Sequence, residues 1–352
     1  MSTGTGLSGR MEGVAGGMGH VGGLVLATLL ATAVTFFLAP GLVVYPLAAV
    51  VVSVAYGWVA DEATTARTLA LAATVVTVLV LGLIMIYLVA RSFPAFRAMG
   101  LDILTKTDGT LWASSEAIYS LVPMMWGTLV TTLIAVVIAA PLGVAGAVFI
   151  SEMAPDWARN VLKPAVEALA GIPSIVYGFI GFTVLNRFMM DEFALPDFGS
   201  LFVVGTVIGA MALPTVVSVA EDAITSVPGP MKDGSLALGA TGWQTTTDVT
   251  VPAAFSGISA AVLLGVGRAV GETMAATVIL ANVTELPDPL YDVFGNTITL
   301  TSLIASQYGI ASGLQMSALF AAGVVLFVTV LGLSLGSQYI ERRMQRKLGG
   351  SE

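Results

Sequence analysis

The chain has 352 residues, of which 56% are hydrophobic and only 10% charged, with a net charge of −8 and a mean hydropathy of +0.92. That balance excludes an ordinary soluble domain and predicts an all-α, polytopic transmembrane protein. Cysteine is absent and the one histidine, His20, lies near the N-terminus, so disulfides, thiolate chemistry and a His/Cys metal site are excluded and no metal ligand set is predicted.

Residues 1–20 are rich in Gly, Ser and Met without a hydrophobic period, which predicts a disordered cytoplasmic tail. A cleaved signal peptide is disfavoured, because the apolar run after His20 continues past Pro40 into a second run with no small-residue cleavage site between them. Apolar runs long enough to span a bilayer, about 20 residues each, fall near 21–39, 42–60, 69–90, 122–150, 165–187, 201–220, 256–282 and 315–340, eight in all. The first three carry no internal charge and predict an accessory N-terminal bundle, 21–91. Polar residues and Pro94 then predict an external loop over 92–120.

The remaining five runs lie within 121–342 and form the main transmembrane domain. Inside it, 221–255 is too long for a tight turn. Its SVPGP break at 226–230 and the small and apolar residues after it predict one or two short amphipathic helices separated by Gly239. A second external loop, 283–312, carries Glu285, Asp288, Asp292, Pro287, Pro289 and Gly295. The end of the chain, 343–352, is expected to be a basic cytoplasmic tail.

Orientation follows from the basic residues. Arg10, Arg67, Arg159, Lys163, Lys232, Arg342, Arg343, Arg346 and Lys347 make nine on one side; Arg91, Arg97, Lys106 and Arg187 make four on the other. The richer side is cytoplasmic, so eight spans place both termini inside.

Arg268 and Glu272 are the charged residues within the run 256–282. An ionisable group at bilayer depth costs from about 3 to more than 10 kcal/mol and normally faces a partner, cavity or solute path. On one continuous helix their spacing places both heads on the same face. Two readings are open: a fixed positive charge for an anionic solute with Glu272 as its keeper, or a salt bridge that only fixes helix packing. Pro173 predicts a kink in the run 165–187, where Ser174 and Tyr177 either donate to a passing oxyanion or satisfy backbone. Lys163 and Glu167 are four apart and read as an exposed helix pair.

Four segments carry a family resemblance. GRAVGETMAATVILAN at 267–282, LAGIPSIVYG at 169–178, GTLVTTLIA at 127–135 and FGNTIT at 294–299 together resemble the PstC-type permease subunit of phosphate-specific ATP-binding-cassette (ABC) importers, over about 100–347. The cytoplasmic run D-G-S-L-A-L-G from Asp233, followed nine residues later by Val249-Thr250-Val251-Pro252, is similar to the EAA loop of importer permeases. It departs from that pattern at Gly234 and Ser235, where Ala is usual, and has Asp233 for Glu.

The resemblance implies a type I (MetI-like) permease core and inorganic phosphate as the substrate. It implies partners too: a homologous PstA-like permease, two ATPase subunits and an extracytoplasmic phosphate-binding protein. In it Arg268 and Glu272 line the substrate path with Ser174 and Tyr177, while Asp233, Gly239, Trp243 and Pro252 belong to the ATPase-coupling segment. No residue is catalytic. The nearest approach to a phosphate-binding nucleotide loop, 100–107, has Thr105 where the second Gly belongs, so ATP and Mg are expected on the partner ATPase and no cofactor on this chain. Nucleic acid is not an expected partner. Sulfate, molybdate or tungstate import is the alternative within the class, and an ion-coupled secondary carrier is the alternative outside it, disfavoured by the lack of two matching halves.

Overall fold

The structure is a computed structural model that describes residues 19–193 and 198–347, with side chains through Tyr339 and at Arg343. The predicted tail, 1–20, lies outside the described residues except for its last two, and His20 opens the first helix. The described chain is almost entirely helical and divides into two units, Met1–Tyr87 and Leu88–Glu352.

In the first unit, helix α1 (His20–Leu38) and helix α2 (Val44–Ala60) are joined by a tight turn at Pro40–Leu42 and pack on each other. Thr28 and Ser53 meet across the pair at 2.9 Å, a polar tie between apolar helices. A Cβ on Gly57 would fall 2.9 Å from Val21 Cγ1 and 2.5 Å from Thr65 Oγ1, so only glycine permits this approach. Helix α3 (Glu62–Met99) follows. Asp61 precedes it and accepts from the Thr64 amide at 3.0 Å and the Thr64 hydroxyl at 2.7 Å, which holds its carboxyl below the usual carboxylate range. The predicted loop at 92–120 therefore starts later than its polarity indicated, because α3 continues through Pro94.

The second unit begins within α3. After helix α4 (Asp102–Thr105), strands β1 (Trp112–Ala113) and β2 (Ile118–Tyr119) pair antiparallel, with Trp112 opposite Tyr119. Their rings meet edge to face at 4.9 Å. Helix α5 (Val122–Val148), extended by a π-turn to Met153, leads into helix α6 (Asp156–Ala170), helix α7 (Ser174–Ile180), a second π-turn and helix α8 (Arg187–Phe193). The run 165–187 is thus not one kinked span: Gly171, Ile172 and Pro173 break it, and the two arms meet at 90°. α6 is strongly amphipathic, with Asp156, Arg159, Lys163 and Glu167 among its residues.

Helix α9 (Leu201–Thr225) is the hub of this unit and is buried along most of its length. Gly205 and Gly209 let it approach α5 closely, since a Cβ on Gly205 would lie 2.6 Å from Ile134 Cβ. The segment between α9 and the next long helix supplies helix α10 (Gly229–Ala237), helix α11 (Gly242–Thr245), a π-turn and helix α12 (Val251–Ala253). Helix α13 (Phe255–Gly271) and helix α14 (Met274–Ile279) replace the single span expected over 256–282. Helix α15 (Leu300–Gln307) lies within the predicted external loop 283–312, and helix α16 (Gly313–Lys347) runs into the first half of the basic segment expected to be a separate tail. A buried cluster of Ala95, Ile103, Leu121, Met124, Ile298, Leu300, Leu303 and Ala318 packs the end of α3, α4, the loop and α15 against α5 and α16.

Among the described residues five helices are long and apolar enough to cross a membrane, seven if each bent pair counts as one span, and α2 is a shorter apolar helix. The molecule is a multi-pass membrane protein.

Candidate substrate path and coupling segment

Arg268 lies in the last turn of α13 and is half-buried, next to Ala269, which belongs to a buried cluster with Met211, Ala275 and Ile279. Its guanidinium donates from Nη1 to Thr215 Oγ1 on α9 at 3.1 Å. α13 ends at Gly271, and Glu272 adopts extended backbone angles, φ −67° and ψ 126°. The shared helix face predicted for Arg268 and Glu272 is therefore not formed. Among the described residues the two make no ion pair.

Glu272 instead serves the break itself. Its Oε1 accepts from the Ala275 amide at 3.1 Å, capping the first turn of α14. Its backbone carbonyl, left without an intrahelical donor, accepts from Thr301 Oγ1 on α15 at 2.7 Å. The signal for this break was present in Gly271, a residue type that ends helices, but the uninterrupted apolar pattern around it concealed the stop.

Ser174 and Tyr177 stand on α7, which packs closely on α14: a Cβ on Gly178 would fall 2.8 Å from Ala275 Cα. Tyr177 packs on the cluster that holds Ala269, Ala275 and Ala276. Its hydroxyl donates to Leu169 O at 3.1 Å, satisfying a carbonyl at the end of α6. Ser174 is half-buried at the start of α7 and makes no side-chain hydrogen bond among the described residues. Neither residue is hydrogen-bonded to Arg268 or Glu272.

The segment expected to couple to an ATPase has a short helix on either side of Gly239, whose φ of +92° is one that a side chain resists. Thr241 and Gln244 cap the second reciprocally. Leu238 is 91% exposed and Trp243 60% exposed, with Asp233 also on the surface, while Pro252 is half-buried in α12. Lys232 of α10 reaches back to Glu152 at the end of α5, 2.6 Å away and with only 24% and 11% of the two side chains exposed. Lys163 does not pair with Glu167. It bonds Glu221 on α9 at 2.5 Å and Asp222 at 3.2 Å, and Glu221, 4% exposed, also accepts from Thr225. Thr215, Thr301, Glu152 and Glu221 carried no sequence signal, since each partner lies on a different helix.

Residues 140–346 match the model of the family described as binding-protein-dependent transport system inner membrane component. The chain belongs to this family. It is 38% identical over 265 residues to the probable ABC transporter permease protein YqgH of Bacillus subtilis, covering 74% of this chain and 84% of that protein. It is 35% identical over 302 residues to the phosphate transport system permease protein PstC of Haemophilus influenzae, covering 80% of this chain and 94% of that one. PstC of Pasteurella multocida is 33% identical, covering 77% of this chain and 89% of its own length. Among solved structures, the fold resembles a chain of a bacterial alginate ABC transporter with a TM-score of 0.53, at 17% identity over 79% of this chain and 96% of that one. It also resembles a chain of the MetNI methionine ABC transporter in an inward-facing conformation, with a TM-score of 0.51 at 19% identity over 64% of this chain and 95% of that chain. The architecture is that of an ABC importer permease, and this member of the family is a membrane-embedded transport component.

Proposed function

We propose that this chain is one permease subunit of an ABC importer that carries inorganic phosphate into the cytoplasm by ATP-driven alternating access. The observation that carries the substrate is its relationship to transporters named PstC across up to 80% of the chain. The half-buried Arg268, whose charge has no carboxylate on it among the described residues, suits that substrate. A guanidinium keeps its proton and presents forked donors to phosphate oxygens.

In this reading a homologous PstA-like permease completes the path, two ATPase subunits bind ATP and Mg, and an extracytoplasmic phosphate-binding protein delivers the anion. This chain holds no cofactor. Exposed Leu238 and Trp243, with Asp233 beside them, form the surface that the ATPase grips. Gly239 sets the bend between the two helices and Pro252 starts the return towards α13. Movement of the ATPase then shifts α10 and, through Lys232 and Glu152, the end of α5. Arg268 meets the anion transiently, and Ser174 and Tyr177 stand on the neighbouring helix of the path. Glu272 acts by holding the helix break open. Both termini face the cytoplasm.

Uptake of labelled phosphate into proteoliposomes holding the assembled importer tests this. ATP inside the vesicles should drive it, and sulfate or molybdate should not compete. Uptake that runs on an ion gradient without the ATPase overturns the importer mechanism, and transport of another oxyanion in place of phosphate overturns the substrate.

A further inference from the structure

We propose that Thr215 is a second oxyanion contact beside Arg268: its hydroxyl oxygen accepts from the guanidinium while its proton is donated to the passing anion. This rests on the reading of the path given above and adds a residue to it.

The donor inventory points there. A hydroxyl has one proton to give and two lone pairs, and a guanidinium has five N–H groups and no acceptor. Thr215 Oγ1 uses one lone pair on Arg268 Nη1 at 3.1 Å. Helical threonines commonly donate their proton to the carbonyl one turn earlier. Thr128, Thr131, Thr277 and Thr329 do so here, at 2.7–2.8 Å. Thr215 does not, and its proton has no acceptor among the described residues.

The charge beside it is equally unspent. Other basic side chains drawn into the fold end on oxygen that carries full or partial negative charge: Lys163 on Glu221, Lys232 on Glu152, and Arg159 on the carbonyls of Ile150 and Ser151. Arg268 ends on a neutral hydroxyl, with no carboxylate or carbonyl bonded to it among the described residues, and Glu272 is occupied at the helix break. Thr215 and Arg268 are both half-buried, between buried Pro214, Val216 and Ala269. The pair thus leaves the Thr215 proton and the remaining guanidinium N–H groups without an acceptor among the described residues, on two helices that pack together. A tetrahedral oxyanion supplies the missing acceptors, one oxygen to the guanidinium and a neighbouring one to the hydroxyl.

The test uses the assembled importer in proteoliposomes with ATP inside, phosphate-loaded binding protein outside, and labelled inorganic phosphate as the probe. Thr215→Val keeps the shape and removes the hydroxyl. It should lower the maximal uptake rate about tenfold, the size expected when one hydrogen bond to a charged group is lost. The half-saturating phosphate concentration, set by the binding protein, should not move. Thr215→Ser should restore the rate to within about twofold. Adding Thr215→Val to Arg268→Ala should cost far less than it does alone, because the two residues serve one anion. If valine impairs assembly, Thr215→Ala is judged on the same criteria. Wild-type rates in an assembled hydroxyl-free variant overturn the proposal, as does a serine variant as slow as valine. A wild-type complex that moves no phosphate overturns the substrate reading and this contact with it; one that moves phosphate beside an unimpaired Thr215→Val overturns the contact alone.

Discussion

Arg268 and Glu272 are separated in role by a single backbone turn. With Glu272 off the helix, its carboxylate caps α14 and its carbonyl is held by Thr301. Capping and charge are separable by substitution. Glu272→Gln keeps an acceptor oxygen for the Ala275 amide, so thermal unfolding of the detergent-solubilised complex should stay close to wild type. Glu272→Ala leaves that amide unsatisfied and should cost about 1 kcal/mol, the usual size of a lost cap. Equal destabilisation by the two variants would mean that the negative charge itself is what the break needs. Arg268→Lys keeps a positive charge but loses the planar fork and the reach to Thr215. Phosphate uptake should fall at least about tenfold, the scale of one charge-assisted hydrogen bond, while the complex still assembles. A lysine variant with full uptake would show that a point charge suffices.

At the level of elements, α10 is tied to the end of α5 by a partly buried ion pair. Removing a single partner of such a pair leaves the other charge stranded, at a cost of about 3–5 kcal/mol when burial is complete. Lys232 and Glu152 keep 24% and 11% exposure, so Lys232→Ala belongs at or below the low end of that range. Its expected signature is loss of coupling: ATP hydrolysis persists while phosphate uptake drops, and the reversal Lys232→Glu with Glu152→Lys recovers part of it. Hydrolysis and uptake falling in proportion would remove the pair from the coupling route. The close approach of α9 to α5 predicts a packing effect of another kind. Gly205→Ala places a methyl group 2.6 Å from Ile134 Cβ and 3.1 Å from Thr131 O, and should destabilise by about 1–3 kcal/mol in a thermal melt.

These elements also show what periodicity conveys and what it omits. Apolar length located the five helices long enough to cross, and Gly239 located the break between α10 and α11, because both are properties of neighbouring residues. The stop at Gly271 was hidden, since apolar residues continue through it, while the kink expected at Pro173 is a full right-angled turn after Ala170. α3 ran past Pro94 because a helix with packing on its far side, here Ala95 against Ile103 and Leu121, survives one missing amide. Lys163 lies four residues from Glu167, yet Glu221 and Asp222 on α9 offer it two carboxylates across the helix contact. Local spacing carries no trace of that choice.

At the scale of the whole molecule, orientation depends on how many helices cross. α1 has 19 residues and α2 only 17. At about 1.5 Å per residue α2 is about 26 Å long, slightly short of a hydrocarbon core of about 30 Å. Its aromatic residues Tyr45, Tyr56 and Trp58 are exposed towards both of its ends, where interfacial side chains anchor a helix that only just spans. Counting α2 as a crossing gives an even number of spans and puts both termini in the cytoplasm; leaving it out puts the N-terminal end of α1 outside. The chain has no native cysteine, so single cysteines report on this without background. Gly19→Cys and Asp233→Cys should react with a membrane-impermeant maleimide only after the cells are permeabilised. Glu116→Cys, exposed at the turn between β1 and β2, should react in intact cells. If Gly19→Cys were labelled in intact cells while Asp233→Cys stayed protected, α2 would be a helix that enters the membrane without crossing it. The N-terminal bundle would then contribute two crossings ahead of α5, by α1 and α3.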